Sequence, residues 1–583
     1  MKKILAYFKP YMWQSLLGPL FKLLEATFEL LVPIVVGLIV DKGLGEYVEG
    51  AGYVHADMAY VGKMSLLLAG FGLAGCAFAV IAQYFAAKAA TGVAAKLRSE
   101  LFRKMQSLSY KDMDKLGTST MLTRITGDVD RFQSGVNLAL RLFLRSPFIV
   151  FGAVITACIV APSSFGVFSV TVVVLAIVVY AVMFACMPLY KKTQGKLDKV
   201  LLSTRENLTG ARVLRAFCRE EEERKQFDNR NGELNRSAKF VGGIAAITNP
   251  LTYALINLGI ILLLWSGALR VDAGRLTQGE VIALYNLMSQ ILIELIKLAN
   301  LIVTVAKAAA SGGRIESVLK MQPSLQLTEG KQKANEPFIV FDKVCLKYSE
   351  GAENALTDIS FTAKRGETIG VIGGTGSGKT TLVNLIPHFY DVNEGQVRID
   401  GRNVNDKRAQ SYLRERIGVV PQKARLFKGT IRENLLWGRG DATDEELLAA
   451  AEIAQAREVI EGKGGLDATV EQGGKNFSGG QKQRLTIARA LVRNPEILIL
   501  DDSSSALDYA TDAELRRAIR TLKTTVFIVS QRASSVRDAD KIIVLDEGKT
   551  VGMGTHSELM ESCEVYREIF FSQYKGGEGG GKA

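Results

Sequence analysis

Residues suited to metal or disulfide chemistry are scarce and scattered in this sequence. It has three histidines and six cysteines, and no CxxC or Cys/His spacing groups them into a metal site or a disulfide framework. Several cysteines lie in apolar segments, so we expect them to pack as small hydrophobic side chains. The N-terminal stretch carries Lys2, Lys3 and Lys9 among aromatic residues but lacks a small-residue cleavage site, which predicts an interfacial helix rather than a removed signal peptide.

Apolar and charged residues are segregated along the chain. Of 583 residues, 48% are apolar and 23% are charged, and the mean hydropathy is +0.14. Apolar stretches of membrane-spanning length fill the chain up to about Ala310, whereas short Val/Ile-rich runs alternate with helical patterns from about Pro337 onward. We therefore predict a multidomain protein. Its predicted parts are an all-α membrane domain at 1–310, a linker at 311–336, an α/β domain at 337–574 and a flexible Gly-rich tail at 575–583.

Six apolar segments are long enough to cross a hydrocarbon core of about 30 Å as helices. They lie near residues 15–40, 64–90, 138–161, 165–190, 242–269 and 279–305. The stretches 91–137 and 191–241 between them are rich in lysine and arginine and look helical throughout, so we expect long cytoplasmic stalks. This placement predicts a multi-pass protein of the cell membrane with its second domain in the cytoplasm. It also accounts for the net charge of +12 through membrane lipid, with no nucleic-acid partner.

Charged residues inside the first predicted span are exceptions to this segregation. Lys22, Glu25 and Glu29 are spaced three and four residues apart, so they share one helical face and would be costly against lipid. We expect them to face the bundle interior, either as an ion-pair cluster alone or as part of a substrate pathway. Arg141 and Arg145 begin the third span, where we expect both side chains to reach the cytoplasmic headgroups.

A phosphate-binding pattern, GxxxxGK[ST], follows the strand-like run TIGVIG and precedes a helical pattern. Glycines let backbone N–H groups surround phosphates, the next helix presents its positive end, the lysine meets the β- and γ-phosphates, and the threonine hydroxyl binds Mg²⁺. The residues predicted to hold nucleotide are Gly373, Gly374, Thr375, Gly376, Ser377, Gly378, Lys379, Thr380 and Thr381. A later apolar strand ends in Asp501, placed to approach the metal. The expected ligand is ATP with Mg²⁺, and the α/β domain is predicted to be a P-loop nucleotide-binding domain.

Between these patterns residues 477–481 read FSGGQ, and here the chain resembles the ATP-binding cassette (ABC) family over nearly its whole length. The resemblance implies that Tyr348 lies under adenine, that Gln422 senses the metal and the interface, and that Asp508 belongs to a loop crossing a dimer interface. The residues it implies for nucleotide held by an opposite subunit are Ser478, Gly479, Gly480 and Gln481. The metal ligands it implies are Thr380, Gln422 and Asp501.

The membrane half resembles the exporters of this family. Residues 107–133 and 206–227 look like their first and second intracellular loops, which carry coupling helices. The resemblance implies twelve membrane helices from two chains, with two nucleotide-binding domains closing head to tail around two ATP molecules.

Two residues depart from the family members that hydrolyse ATP efficiently. Asp502 stands where those members carry the glutamate that polarises the attacking water, and a carboxylate misplaced by about 1 Å can cost on the order of 10²-fold in rate. Gln531 stands where the family usually has histidine, and it cannot carry an imidazolium charge. With Gln422, these are the predicted catalytic residues, and weak hydrolysis is expected at this chain's own site.

The intact FSGGQ sequence beside a weakened site predicts a heterodimer. This chain is similar to the degenerate-site half of heterodimeric, multidrug-type exporters, in which a second ABC half-transporter chain supplies the glutamate and the histidine. A homodimer with two slow sites is the alternative assembly.

The predicted function is ATP-driven export of amphipathic compounds, peptides or lipids. The alternative is an ATP-sensing regulatory or gating membrane subunit that does not pump. ATP-dependent accumulation of substrate in inverted vesicles would favour the first hypothesis. Ligand-gated passive flux with little hydrolysis would favour the second.

Overall fold

The computed structural model describes residues 2–44, 46–48, 52–54, 57–325, 327–328, 332–333, 336–349, 351–407 and 410–574. The chain forms two compact units. One is built from the described residues up to Gln106 together with Thr118–Met321. The other is built from Ser107–Gly117 together with the described residues after Met321. The predicted tail at 575–583 lies outside the described residues.

The first unit is helical. The α-helices described up to Met321 are α1 (Lys2–Leu5), α2 (Met12–Leu38), α3 (Met58–Gln106), α4 (Tyr110–Leu116), α5 (Thr118–Thr123), α6 (Val129–Leu142), α7 (Arg145–Val160), α8 (Phe165–Thr209), α9 (Ala211–Ala216), α10 (Glu220–Asp272) and α11 (Gln278–Lys320). Of these, α4 belongs to the second unit and the others to the first. Short 3₁₀ segments lie at Ala6–Tyr11 and Pro162–Ser164, and π-helical segments at Ile39–Gly43 and Arg124–Asp128. Two short antiparallel strands, β1 (Glu46–Val48) and β2 (Gly52–Val54), pair with each other.

The six predicted spans fall on long helical segments of this unit, which confirms the helical membrane domain. In the described part of the chain, five segments are long and apolar enough to cross a membrane: Ala6–Gly43, Met58–Gln106, Thr118–Val160, Phe165–Thr209 and Glu220–Asp272. The remaining helix, α11, carries Glu294 and Lys297 within its predicted span, and such charges lower its mean hydropathy. At 49 residues, α3 is about 70 Å long, more than twice the thickness of a hydrocarbon core.

The two basic stretches are not helical throughout, and that prediction is wrong. The first is interrupted at residues 107–109 and at Gly117, which leaves α4 as a separate short helix. Gly117 ends α4 with a φ of 73°, a left-handed conformation that favours glycine. The second stretch is interrupted at Gly210 and at 217–219, which isolates α9.

Small side chains let the membrane helices approach closely. Along α3, Ala82, Ala86, Ala89, Ala90 and Ala94 are buried. This spacing of three and four residues makes one continuous small-residue face, the usual device for helix packing in membranes. The last helix, α11, continues through residues 311–320, which the sequence interpretation had assigned to the linker.

The second unit contains an α/β fold with two main sheets, as expected. Its strands are β3 (Ile339–Leu346), β4 (Leu356–Ala363), β5 (Thr368–Gly373), β6 (Glu394–Ile399), β7 (Arg402–Asn403), β8 (Ile417–Val420), β9 (Gly429–Thr430), β10 (Thr469–Val470), β11 (Ile497–Asp501), β12 (Thr525–Ser530), β13 (Lys541–Asp546) and β14 (Lys549–Gly554). A six-stranded sheet has the order β14-β13-β5-β12-β11-β8, in which only β14 is antiparallel to its neighbour. An antiparallel sheet has the order β4-β3-β6-β7, and β9 pairs with β10.

Helices cover both faces of the six-stranded sheet. They are α12 (Lys379–Asn384), α13 (Gln410–Glu415), α14 (Ile431–Leu436), α15 (Asp444–Ile453), α16 (Arg457–Gly462), α17 (Gly479–Val492), α18 (Tyr509–Arg520), α19 (Ala533–Val536), α20 (His556–Ser562) and α21 (Glu564–Tyr574), with a 3₁₀ turn at Gln472–Gly474. Strand β11 shows why both faces are buried. Ile497 and Ile499 enter one apolar cluster, whereas Leu498 and Leu500 enter another, as the two-residue period of a strand requires.

Candidate nucleotide site

Three strand ends meet at one edge of the six-stranded sheet. Ile372 of β5 is paired with Ser530 of β12, and Val529 of β12 is paired with Asp501 of β11. Parallel strands point their carboxyl ends in the same direction, so the loops that follow β5, β11 and β12 begin side by side. They enclose a cleft of about 370 Å³, whose lining includes Tyr348, Lys379, Thr380, Thr381, Gln422, Asp501, Asp502 and Gln531.

The predicted phosphate loop occupies one wall of this cleft. Gly376 and Gly378 have φ angles of 84° and 95°, which glycine adopts at little cost and which curl the loop. Lys379 points back into the curl, where its Nζ donates to the carbonyl oxygens of Gly373 at 2.9 Å and Gly374 at 2.5 Å. Burial lowers the pKa of the Lys379 ammonium, although Asp502 and Asp501 oppose that shift. A phosphate would offer this buried cation a charged acceptor in place of neutral carbonyls.

Asp501 and Thr380 form a polar contact at the floor of the cleft. The Thr380 hydroxyl donates to Asp501 Oδ1 at 2.9 Å, and the Asp501 carboxyl group is buried. Burial raises the pKa of Asp501 and the neighbouring Asp502 charge adds to the rise, while the Thr380 hydrogen bond and Lys379 oppose it. Two adjacent carboxylates, one of them buried, therefore favour an additional positive charge at this point.

Mg²⁺ is implied by the fold, and the donor set fits it. Thr380, Asp501 and the Gln422 amide carry hard oxygen donors, and all three line the cleft. Protein Mg²⁺ sites commonly use one or two carboxylates and take the remaining ligands from substrate phosphates and water. In the described residues no group of three or more His, Cys, Asp or Glu side chains could hold a metal ion.

Asp502 has an unusual backbone conformation that the sequence did not reveal. Its φ is 47°, and its N–H donates to the carbonyl oxygen of Val529 at 2.9 Å. Aspartate tolerates the left-handed region better than most residues because its short side chain can bond locally. Gln422 Nε2 donates to Asp502 Oδ2 at 3.3 Å, so two of the three predicted catalytic residues are in direct contact.

Gln531 completes the predicted trio. It follows the buried Ser530 at the end of β12 and lines the cleft together with Gln422 and Asp502. The structure thus brings the three predicted catalytic residues to one cleft.

Tyr348 lies at the other end of the cleft. Its hydroxyl is 2.9 Å from Thr381 Oγ1, and its ring meets the edge of Tyr390 with centroids 5.2 Å apart. These contacts orient a ring that is 41% exposed, which leaves aromatic surface on which a base can stack.

The FSGGQ residues do not line this cleft. Ser478 is the N-cap of α17: its Oγ accepts from the Gln481 N–H at 3.3 Å, and Gln481 Oε1 accepts from the Ser478 N–H at 3.0 Å. The Ser478 side chain is exposed, and the first N–H groups of a helix, here Gly479 and Gly480, have no intrahelical acceptor. Donors are thus grouped at a second exposed point of the unit.

Asp508 is also outside the cleft. It caps α18 by accepting from the Thr511 N–H and from the Thr511 hydroxyl, both at 2.9 Å. These hydrogen bonds lower the pKa of Asp508.

Helix α4 is connected to the cleft through aromatic residues. The sequence interpretation missed the residues that α4 contacts. The ring of Tyr110 in α4 packs against that of Phe389 at a tilt of 38°, with centroids 4.6 Å apart, and the Tyr390 hydroxyl donates to Asp114 Oδ2 at 3.1 Å. Burial raises the pKa of the Tyr390 hydroxyl, and the Asp114 charge adds to the rise. Because Tyr390 also meets Tyr348, aromatic contacts run continuously from α4 to the cleft. The adjacent aromatic pair after α12 was the only sequence signal for these residues.

Hydrogen bonds also link α4 to the rest of the second unit. Asp112 Oδ2 accepts from the Ser109 hydroxyl at 2.7 Å and from the Ser324 N–H at 2.9 Å. Burial alone would raise the pKa of Asp112, but the hydrogen bonds from Ser109 and Ser324 outweigh burial and lower it.

The charged residues of the membrane unit form an internal network. Arg145 donates to Glu294 at 2.6 Å and to Glu29 at 2.5 Å, while Lys22 pairs with Glu25. The expectation that Lys22 and Glu25 face the interior is confirmed, since their side chains are 12% and 16% exposed. The expectation that Arg145 reaches the headgroups is wrong, because Arg145 is 6% exposed and held by carboxylates from α2 and α11. The sequence interpretation missed Glu294.

The chain combines a helical unit long enough to span a membrane with a phosphate-loop unit, and it carries the FSGGQ residues at the start of a separate helix. This combination defines an ABC membrane transporter. The family profile described as "ABC transporter transmembrane region" matches residues 15–295, and the profile described as "ABC transporter" matches residues 356–505. The chain belongs to the ABC transporter family. It is a half-transporter of the exporter type, a multi-pass membrane protein with its ATP-binding domain at the C-terminal side.

Individual relatives agree over almost the whole chain. The uncharacterized ABC transporter ATP-binding protein YfiB of Bacillus subtilis is 34% identical over 98% of this chain and 99% of its own. The ATP-dependent lipid A-core flippase of Haemophilus ducreyi is 27% identical over 98% of both chains. The solved structure of a bacterial Atm1-family ABC exporter with ATP bound has a TM-score of 0.80 and 21% identity, and the match covers 98% of this chain and 99% of that one. That structure supports the fold.

Proposed function

We propose that this chain is one subunit of a heterodimeric ATP-driven exporter and that its own ATP site hydrolyses slowly. The observation that supports this proposal most directly is the geometry around Asp502. The short carboxylate contacts Gln422 at 3.3 Å on the cleft wall, and Gln531 stands beside them without an imidazole. The cleft keeps the parts that bind ATP, namely the phosphate loop, Lys379 and Asp501, and lacks the two groups that best activate water.

The position of the FSGGQ residues supports a second chain. Ser478 and its helix start are exposed and lie outside the chain's own cleft, so their donors serve a phosphate held elsewhere. In the proposed heterodimer the partner chain supplies glutamate and histidine to its own phosphate loop. This chain's Ser478, Gly479 and Gly480 complete that site.

An amphipathic compound, a peptide or a lipid is the proposed substrate. A helical membrane unit gives a substrate access from the bilayer, and a relative over the full length is a lipid A-core flippase. Magnesium is the proposed metal, held by Thr380, Asp501 and Gln422 when nucleotide is bound. The positive-inside pattern places the ATP-binding domain in the cytoplasm.

The decisive experiment alters the FSGGQ serine in the assembled complex. Ser478→Arg should reduce ATPase turnover by more than about tenfold and stop ATP-dependent substrate accumulation in inverted vesicles, although this chain's phosphate loop is untouched. Thr443→Arg is the matched control. Thr443 is an exposed N-cap with the same reciprocal bonds, here to Glu446, so this change removes an equivalent cap away from the cleft.

Retained turnover in Ser478→Arg would remove the proposed complementation. Purification of the complex with this chain as its sole polypeptide would refute the heterodimer.

A further inference from the structure

The loop that presents Gln531 to the cleft is held by the last described helix. Gln573 of α21 donates from Nε2 to the Gln531 carbonyl oxygen at 2.8 Å. The same side chain accepts at Oε1 from the Ala533 N–H at 2.8 Å. One carboxamide therefore spans the backbone on both sides of Arg532.

The hydrogen bond from the Ala533 N–H to Gln573 provides an acceptor for a backbone group at the start of α19. Ala533 is the first residue of α19, and the N-cap residue Arg532 provides no side-chain cap. The first N–H groups of a helix lack intrahelical acceptors, so Gln573 Oε1 takes the place of a cap. A carboxamide offers a donor and an acceptor in fixed geometry, which suits it to hold a carbonyl and an N–H at the same time.

Helix α21 is a fixed support for Gln573. Tyr566 in α21 is fully buried, and its hydroxyl lies 2.8 Å from His556 Nδ1. Tyr566 shares an apolar cluster with Ala533 and Val536 of α19 and with Ile372, which immediately precedes the phosphate loop. The helix that carries Gln573 thus packs on the same core as the loop and the cleft wall.

On its other side the loop meets α18. The guanidinium of Arg532 lies 5.1 Å from the ring centroid of Tyr509, the residue after Asp508. The backbone of Gln531 is therefore bounded by α21 and α18, and within the described ranges Gln573 is the residue that donates to its carbonyl oxygen.

We propose that Gln573 is a positioning residue for Gln531, and that through it α21 controls how long this chain's cleft retains nucleotide. The inference rests on the proposed function in one respect, that the cleft holds ATP. Fixing the backbone at the Gln531 carbonyl restricts the directions that the Gln531 side chain can take, and this side chain lines the cleft.

The test measures nucleotide release from this chain alone. The assembled complex carries a partner whose phosphate-loop lysine is changed to alanine, and the probe is a photoreactive ATP analogue chased with unlabelled ATP. Gln573→Leu removes both hydrogen bonds and should speed release about tenfold, while Gln573→Glu keeps only the acceptor and should speed it about threefold. Glu568→Gln, an exposed change on the same helix, is the matched control and should leave release unchanged.

A double mutant distinguishes positioning from general support. In a Gln531→Ala background the side chain that Gln573 positions is absent, so Gln573→Leu should add less than about twofold. Additive effects would show that Gln573 acts on the fold and not through Gln531, and would overturn the inference. The melting temperature is measured for each variant; should Gln573→Leu unfold, Gln573→Glu and its Gln531→Ala combination give the same comparison.

Failure of the inference and failure of the proposed function give different results. Release from Gln573→Leu at the wild-type rate refutes the inference and leaves the proposed function intact. Labelling of wild-type chain no higher than that of Lys379→Ala shows that the cleft retains no ATP and refutes both. A purified complex that contains only this chain refutes the heterodimer and leaves the release comparison valid.

Discussion

Changing Asp502 to glutamate together with Gln531 to histidine should make this chain's own cleft hydrolyse ATP faster. Both residues already line the cleft, and Gln422 contacts Asp502 there at 3.3 Å. The pair restores a longer carboxylate and an imidazole at the positions where water would be activated.

The expected gain follows from two opposing effects. A carboxylate returned by about 1 Å to the water can recover on the order of 10²-fold, equivalent to about 2.7 kcal/mol. Asp502 has a φ of 47°, however, and a longer side chain tolerates that region less well, so the substituted carboxylate should recover only part of that distance. We therefore expect a gain of about 10- to 30-fold for the pair. Each single change should give less than about threefold, because groups acting on one water are non-additive.

The assay needs a background in which the other site is silent. The complex should carry a partner whose catalytic glutamate is changed to glutamine, so that phosphate release reports this chain's cleft. Adding Lys379→Ala to the double mutant is the matched control, because it removes nucleotide from the same cleft and should return the rate to background.

The interpretation fails if the double mutant stays at background while the partner's FSGGQ sequence is intact and the mutant still binds ATP. In that case neither departure is the reason for slow hydrolysis. Gains that multiply, with each single change already giving several-fold, would also contradict a shared water.

Two further predictions concern binding and stability. Lys379→Ala should weaken ATP binding at this chain by more than about tenfold, because the cation that meets the phosphates is lost, and photolabelling of this subunit measures it; undiminished labelling would contradict the role. Arg145→Met should lower stability by about 3 kcal/mol because Glu294, 2% exposed, loses a partner, whereas Arg145→Met with Glu294→Leu should recover most of that loss in thermal unfolding. Equal destabilisation by the double change would show that the charges are not paired energetically.

The nucleotide cleft could be predicted because its chemistry is local in sequence. The phosphate loop, its strand and its helix are contiguous, and Asp501 ends an apolar strand whose partner strands are set by the same hydrophobic pattern. The resemblance to a known family then assigned Tyr348, Gln422 and Gln531, and the structure places all three around the cleft.

What the sequence did not show depends on contacts between distant residues. Arg145 and Glu294 are separated by 149 positions, and Gln531 and Gln573 by 42. Each of these residues taken alone is an ordinary polar residue of a helix or a loop, with a solvated face as its default. The left-handed backbone of Asp502 was also hidden, because it arises where a strand ends between two neighbours and not from a turn motif.

The two departures change the transition state more than they change the bound state. In the function proposed above, Lys379, the phosphate-loop N–H groups and Asp501 bind ground-state ATP and its metal, whereas Asp502 and Gln531 act on the attacking water. A loss of 10²-fold in hydrolysis is about 2.7 kcal/mol of transition-state stabilisation and need not alter affinity. Binding and turnover are thus set by different side chains of one cleft, so a sequence can keep the first while it reduces the second. We therefore expect this cleft to hold ATP for longer than a competent site takes to hydrolyse it, with that retention dependent, as proposed for Gln573, on the groups that position Gln531. For that reason nucleotide release, measured separately from hydrolysis, is the property by which this chain's site should be judged.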